Sequence, residues 1–210
     1  MRKFISVKTA FSKKFKRYRF EGVWLKVLGN VTKGGFWIIY GAEKHGKSWF
    51  ALVLAQVLGQ IENVAYISSE EGISGEFVGA MKRAGIDPSQ NPFKLNEHIT
   101  FAEIKQELLN RRQAPSVIFI DNLTTYKDEV SANDILKLFR EYPDTHFVFI
   151  SHEDNGEPDL AIGKMVKKLS KVIMRVEGLA CFVSGRVPGG QILIDEQKAV
   201  LYHGTEVTEN

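Results

Sequence analysis

Apolar residues fall in short runs that alternate with helical segments along the chain. The runs at 35–40, 64–68, 117–120 and 147–150 contain hardly any polar residue, as expected of strands covered on both faces. Helical segments fill the gaps at 47–58, 72–84, 101–112 and 132–142. This rhythm predicts an α/β fold, with a mostly parallel central sheet flanked by helices on both faces. Beyond residue 170 the pattern changes. Segments 171–176, 180–184, 191–195 and 198–203 read as consecutive strands joined by Glu-Gly, Pro-Gly-Gly and Glu-Gln turns, which would add antiparallel strands to the C-terminal end of the sheet. No repeat or long linker interrupts the chain.

Composition narrows the class. With 210 residues, 44% hydrophobic and 25% charged, the chain suits one sizeable globular domain rather than a disordered or fibrous protein. The longest apolar stretch, from Phe50 to Gly59, is broken by Gln56 and is too short to span a bilayer, so no membrane partner is expected. The lone cysteine, Cys181, excludes an internal disulfide framework and a cysteine-cluster zinc site; a reducing, cytoplasmic setting follows.

The net charge of +3 conceals a split. Residues 1–20 hold eight basic side chains (Arg2, Lys3, Lys8, Lys13, Lys14, Lys16, Arg17 and Arg19) and no acidic one. The remaining 20 Lys and Arg face 25 Asp and Glu, so residues 21–210 sum to −5. The chain therefore divides into a basic arm over 1–20 and one domain over 21–210. Phe4, Phe11, Phe15, Tyr18 and Phe20 are interleaved with the basic residues. Basic plus aromatic composition suits single-stranded nucleic acid, where cations meet phosphate and rings stack on bases. It equally suits a strand or short helix docked on the body by its aromatics, and an acid-free transit peptide remains a third reading.

Residues 41–48 read GAEKHGKS and match G-x-x-x-x-G-K-[ST] at every fixed position. The context agrees, because an apolar strand precedes the motif and a helix beginning at Trp49 follows it. Gly41 and Gly46 let the backbone curl so that its N–H groups face a phosphate, and the helix N-terminus favours the anion. Lys47 would reach the β- and γ-phosphates, and the Ser48 hydroxyl would bind Mg²⁺. The expected nucleotide-binding set is Gly41, Ala42, Glu43, Lys44, His45, Gly46, Lys47, Ser48 and Trp49, with ATP and Mg²⁺ as cofactors.

Two further strands end in acids. The run 116–121 closes on Asp121, at the carboxyl edge where ligands of parallel sheets bind, and there a carboxylate can hold the Mg²⁺ shell. The run 65–71 closes on Glu70 and Glu71. One of these could orient the water that attacks a phosphoanhydride. Glu70, nearer the strand, fits that task better, while Glu71 fits a helix N-terminal acid.

Together these residues resemble the RecA-like P-loop ATPase core of the RadA, KaiC and DnaB-type helicase group, from about Val23 to Thr205. LGNVTKGG at 28–35 resembles the Leu-Gly-Gly…Lys-Gly approach to the P-loop. YISSEE at 66–71 resembles Tyr-Val-Ser-Gly-Glu-Glu, which implies that Glu70 matches the catalytic glutamate. IDNLTT at 120–125 resembles Ile-Asp-Ser-Ile-Gln-Thr, with Thr124 in place of the usual glutamine. FISH at 149–152 resembles a strand whose last polar residue senses the γ-phosphate, a role the resemblance passes to His152. The family's late Lys-x-Arg pair corresponds to Ser184-Gly-Arg186, so Arg186 alone could serve as the finger in a neighbour's site.

The region after His152, which commonly faces DNA in this group, carries Glu153, Asp154, Glu157 and Asp159 and would repel phosphate. Lys164, Lys167, Lys168 and Lys171 follow and could restore a basic surface. The resemblance implies an ATP-hydrolysing homo-oligomer, a ring or filament, that binds single-stranded DNA in replication, recombination or repair, in a phage or mobile-element setting. The alternative is a KaiC-like regulatory module that switches with nucleotide state and does not bind DNA. A small-molecule kinase would share the P-loop, but the chain shows no Arg-rich lid.

Overall fold

The computed structural model describes residues 4–90, 92–110 and 112–204. Arg2 and Lys3 of the arm, and Thr205 at the end of the resemblance, lie outside the described residues. A single turn, α1 (Val7–Phe11), and a short helix, α2 (Gly22–Leu28), precede β1 (Gly35–Gly41) and α3 (Lys47–Gly59). Next come β2 (Val64–Ser68), α4 (Gly75–Arg83), β3 (Lys94–Asn96), α5 (Phe101–Leu109), β4 (Val117–Asp121) and α6 (Ala132–Glu141). The chain continues through β5 (His146–Asp154), β6 (Glu157–Pro158), α7 (Ala161–Leu169), β7 (Val172–Glu177), β8 (Ala180–Gly185), β9 (Gly190–Leu193) and α8 (Glu196–His203).

Among the described residues one sheet runs β3-β2-β4-β5-β1-β7-β8-β9, with β6 paired to β5. The strands from β3 to β7 are parallel; β8 adds antiparallel to β7, and β9 antiparallel to β8. The expected α/β architecture is therefore observed. All seven residues of β1 are buried because both faces are covered. Trp37 and Ile39 join one apolar cluster with Phe50 and Leu54 of α3, while Phe36 and Ile38 join the opposite one with Ile135 of α6 and Val166 of α7. Strand alternation alone divides them. Side-chain caps start two helices on the second face: Thr100 and Glu103 form a capping box on α5, and Ser131 and Asp134 one on α6.

Three expectations are corrected. Residues 198–203 are helical rather than a strand, and the Glu-Gln pair is the start of α8 rather than a turn. The Asp195 carboxylate accepts from the Lys198 N–H as an N-cap, and Ala199 buries against Ala180. The acids after His152 are not a free repulsive loop. Glu153 and Asp154 end β5 and pair in a hairpin with Pro158 and Glu157. Glu153 accepts from Arg175 at 2.8 Å through both oxygens, and Glu157 pairs with Lys167 at 2.8 Å. The four lysines that follow are split: Lys164 and Lys168 stay exposed on α7, Lys167 pairs with Glu157, and Lys171 does not join them. Lys171 is turned inward, donating to the carbonyls of Thr32 and Lys33 and to the Thr32 hydroxyl; burial pushes its ammonium down to about 8.

The arm divides by depth. Residues 4–17 are exposed, including Phe4, Phe11 and Phe15, whereas Tyr18 and Phe20 sit in the core against Trp37. The Tyr18 hydroxyl and His146 Nδ1 share a hydrogen bond at 2.6 Å. His146 is fully buried, its Nε2 has no partner, and burial drives its pKa well below the ordinary 6.5. A histidine kept neutral when folded but free to protonate when unfolded makes stability fall as pH drops below about 6.5. Between pH 7 and pH 5 this site is expected to cost about 2 kcal/mol. His146→Gln retains an acceptor for Tyr18 and should show a shallower fall in melting temperature over that range. An unchanged fall would assign the pH sensitivity to other groups.

Candidate functional site

The carboxyl edges of the parallel strands gather the residues singled out by their chemistry. Register alone brings Gly41 beside His152 and Ser68 beside Asp121. The loop from β1 to α3 ends at Gly46 in the left-handed region (φ 98°), a conformation a side chain would resist, and no side chain caps the helix there. The first N–H groups of α3 are thus open to an anion. Lys47 is 7% exposed, and its ammonium donates to the Ala42 carbonyl at 2.8 Å. Burial lowers its pKa, against the attraction of Asp121 and Glu70. This loop fits a phosphate group: the structure supplies uncapped amides and a buried cation with no carboxylate bonded to it.

Asp121 is 5% exposed at the end of β4. It accepts from the Tyr66 hydroxyl at 2.6 Å, and the Ser48 hydroxyl lies near it. Burial pushes its carboxyl up to about 6, against the pull of both hydroxyls. A buried carboxylate near a hydroxyl at a helix start is a donor set that fits Mg²⁺, and Ser48 and Asp121 are the residues that would hold the ion. Among the described residues no cluster of three or more His, Cys, Asp or Glu forms a separate metal site.

Glu70 lies in the turn after β2, two residues beyond the strand end at Ser68, where the Glu70 N–H donates to the Asp121 carbonyl at 3.1 Å. Its carboxylate accepts from Asn122 Nδ2 and meets His152 Nε2 at 3.2 Å. The hydrogen bond between them lowers the Glu70 pKa and raises that of His152. Asn122 also contacts His152 Nε2 at 3.0 Å and so ties both groups together. Glu71 is exposed and directs no hydrogen bond into this cluster.

Arg186 does not reach this edge. It follows β8 at the amino end of the parallel strands, where its N–H donates to the Lys171 carbonyl at 2.7 Å. Any role at a phosphate would therefore fall on a neighbouring copy's site. The sequence reading passed over Asn122, Tyr66 and the Arg175–Glu153 pair. Asn122 and Tyr66 did carry a signal, as polar groups within or just after an otherwise apolar strand.

A family model described as inactive STAND matches residues 14–150. The chain belongs to this family. The matched segment includes the P-loop, Glu70, Asp121 and the docked root of the arm, and it ends two residues before His152. No curated protein matches by sequence.

Solved structures share the fold at low identity. Flagellar accessory protein FlaH from Methanocaldococcus jannaschii is 17% identical, with a TM-score of 0.60 over 84% of this chain and 91% of that one. A KaiC-like protein from Pyrococcus horikoshii is 12% identical, with a TM-score of 0.61 over 86% of this chain and 93% of that one. The fold is RecA-like, with a P-loop at its expected place. No helix among the described residues is long and apolar enough to cross a membrane.

Proposed function

We propose that this protein is an ATP- and Mg²⁺-binding module that hydrolyses ATP slowly and switches its association with copies of itself or with partners by nucleotide state. The observation that carries this reading is the convergence of Lys47, Ser48, Asp121, Glu70 and His152 on one sheet edge. Bound ATP would bring the bond to be broken; Lys47 and the α3 amides would neutralise and orient its phosphates, and Ser48 and Asp121 would hold the ion. Glu70, kept ionised by His152 and Asn122, is placed to accept a proton from water.

Two observations support slow turnover. The family is described as inactive. The finger lysine is replaced by Ser184, and Arg186 lies on the far edge, so a complete site would need a neighbouring copy in a ring or filament.

A second reading, action on single-stranded DNA, is favoured by the exposed arm alone. Lys8, Lys13 and Lys14 stand beside Phe4, Phe11 and Phe15, which are 88%, 87% and 64% exposed. If four to six cations reach phosphate, the log–log salt slope of binding should be about −3 to −4. One experiment separates the readings: ATP turnover and DNA anisotropy for the full chain and for a chain lacking residues 1–15, which retains Tyr18. The regulatory reading expects turnover that ignores DNA. Stimulation by DNA, with a slope that flattens on truncation, would favour the second reading. A thermal shift of less than about 1 °C with saturating Mg·ATP would overturn both.

A further inference from the structure

The arm carries a turn of helix, α1, in which no residue is buried. The turn is capped all the same: the Ser6 hydroxyl accepts from the Thr9 N–H at 3.1 Å, and the Ser12 hydroxyl donates to the Thr9 carbonyl at 2.9 Å. Val7 and Phe11, four residues apart, share one face of it. Val7 is 73% and Ile5 54% exposed, beside the open rings of Phe4, Phe11 and Phe15. Large apolar side chains gathered on one solvated segment mark a contact surface, whereas scattered ones do not. The same segment holds Lys8, Lys13, Lys14, Lys16, Arg17 and Arg19, and no acid occurs before Glu21.

The root of the arm is built into the fold. The Tyr18 N–H donates to the Val31 carbonyl and the Lys33 N–H to the Lys16 carbonyl, both at 3.0 Å, on either side of the antiparallel bridge between Arg17 and Thr32. This ladder frames an open cleft of about 750 Å³ lined by Lys16, Arg17, Arg19 and Lys33, with Phe15 and Asn30 at its sides and no acid in its lining. The Arg17 guanidinium is steered by donating to the Asn30 carbonyl at 2.7 Å, and Lys33 also pairs with Glu62. The cleft lies at the amino ends of the parallel strands, where Tyr18 meets His146 at the start of β5. The phosphate loop lies at the carboxyl ends, beside His152.

We infer that the arm is a peripheral anchor for an anionic phospholipid bilayer. In it α1 lies in the headgroup layer with Val7 and Phe11 against the acyl chains, and the cleft at the root receives lipid phosphates. No spanning helix is required, because a short apolar face flanked by cations binds at the interface. Aromatic rings would suit a base as well as a lipid, but Ile5 and Val7 have no π-face and gain only by leaving water. A run of cations without acids selects an anionic surface over a neutral one. The anchored pole is opposite the nucleotide edge, so anchoring is independent of nucleotide.

The test is sedimentation of the full chain, without nucleotide, with phosphatidylcholine vesicles that either lack or contain about 30% phosphatidylserine. Binding to the anionic vesicles is expected to be about 100-fold or more tighter than to the neutral ones, and to weaken as salt rises. The double variant Ile5→Ser/Val7→Ser changes exposed positions and should keep the melting temperature of the unmodified chain. It is expected to weaken vesicle binding about ten-fold or more, while any binding of single-stranded DNA stays within about two-fold. Lys16→Gln/Arg19→Gln should also weaken vesicle binding about ten-fold or more. Equal binding to both vesicle types, binding to neither, or full vesicle binding by either double variant overturns the anchor. So does a chain that binds DNA but no vesicle, which would give the arm to nucleic acid. Self-association without vesicles that Ile5→Ser/Val7→Ser abolishes would give the apolar face to a second copy and likewise overturn it. None of these results touches the P-loop reading.

Discussion

Lys47→Ala is expected to weaken Mg·ATP binding by about 100-fold or more, while the melting temperature without nucleotide stays level or rises. Both halves follow from the position of the side chain. The ammonium is buried, its pKa is lowered by that burial, and its one strong hydrogen bond is to the Ala42 carbonyl of its own loop. A cation held this way costs the apo fold desolvation, and removing it relieves that cost. Facing a polyphosphate, the same ammonium would form charge-assisted hydrogen bonds in a water-poor site, where a loss of about 3 kcal/mol corresponds to roughly a 100-fold change in affinity. Calorimetry and a melting curve on the same preparation check the two halves separately. Unchanged ATP affinity in the folded variant would remove the P-loop from the nucleotide site.

The second large effect concerns the two adjacent glutamates. Glu70→Gln should reduce phosphate release by about 10² or more, with ATP affinity changed little, whereas Glu71→Gln should stay within about two-fold of the unmodified rate. The difference is geometric, since Glu70 joins Asn122 and His152 while Glu71 faces solvent. Glu70→Gln also has a readout that does not depend on turnover. The Glu70 carboxylate is the main reason the His152 pKa is raised, so its removal should let His152 titrate at lower pH by NMR. If Glu71→Gln is the damaging change, the turn after β2 presents the other acid. If the unmodified protein releases no more phosphate than Lys47→Ala, binding without hydrolysis is the function of the site, in keeping with the family description.

Much of the scaffold was legible in one dimension. Strands covered on both faces must be apolar throughout, so β1, β2, β4 and the first part of β5 stood out as runs. The P-loop was equally clear, because Gly41, Gly46, Lys47 and Ser48 act through backbone shape and helix start, both of which are local. Asp121 followed from its place at the end of a buried strand.

The rest depended on contacts between distant residues. Glu70 and His152 are 82 residues apart, and parallel pairing through β4 and β5 is what brings their turns together. Of five aromatics in the arm, Tyr18 and Phe20 enter the core and Phe4, Phe11 and Phe15 do not; composition treats all five alike. Glu153 and Glu157 looked repulsive in sequence because their partners, Arg175 and Lys167, lie on separate elements.

Residues 198–203 mix apolar and polar side chains in an order that suits either a strand or a helix. The choice fell to helix through the Asp195 cap and the burial of Ala199 on Ala180. Local backbone chemistry thus determined the phosphate loop and the strands that carry it. Which side chains face one another across the strand ends was decided only by tertiary packing, because an ion pair or buried ring is stabilised by partners that one stretch of chain does not contain.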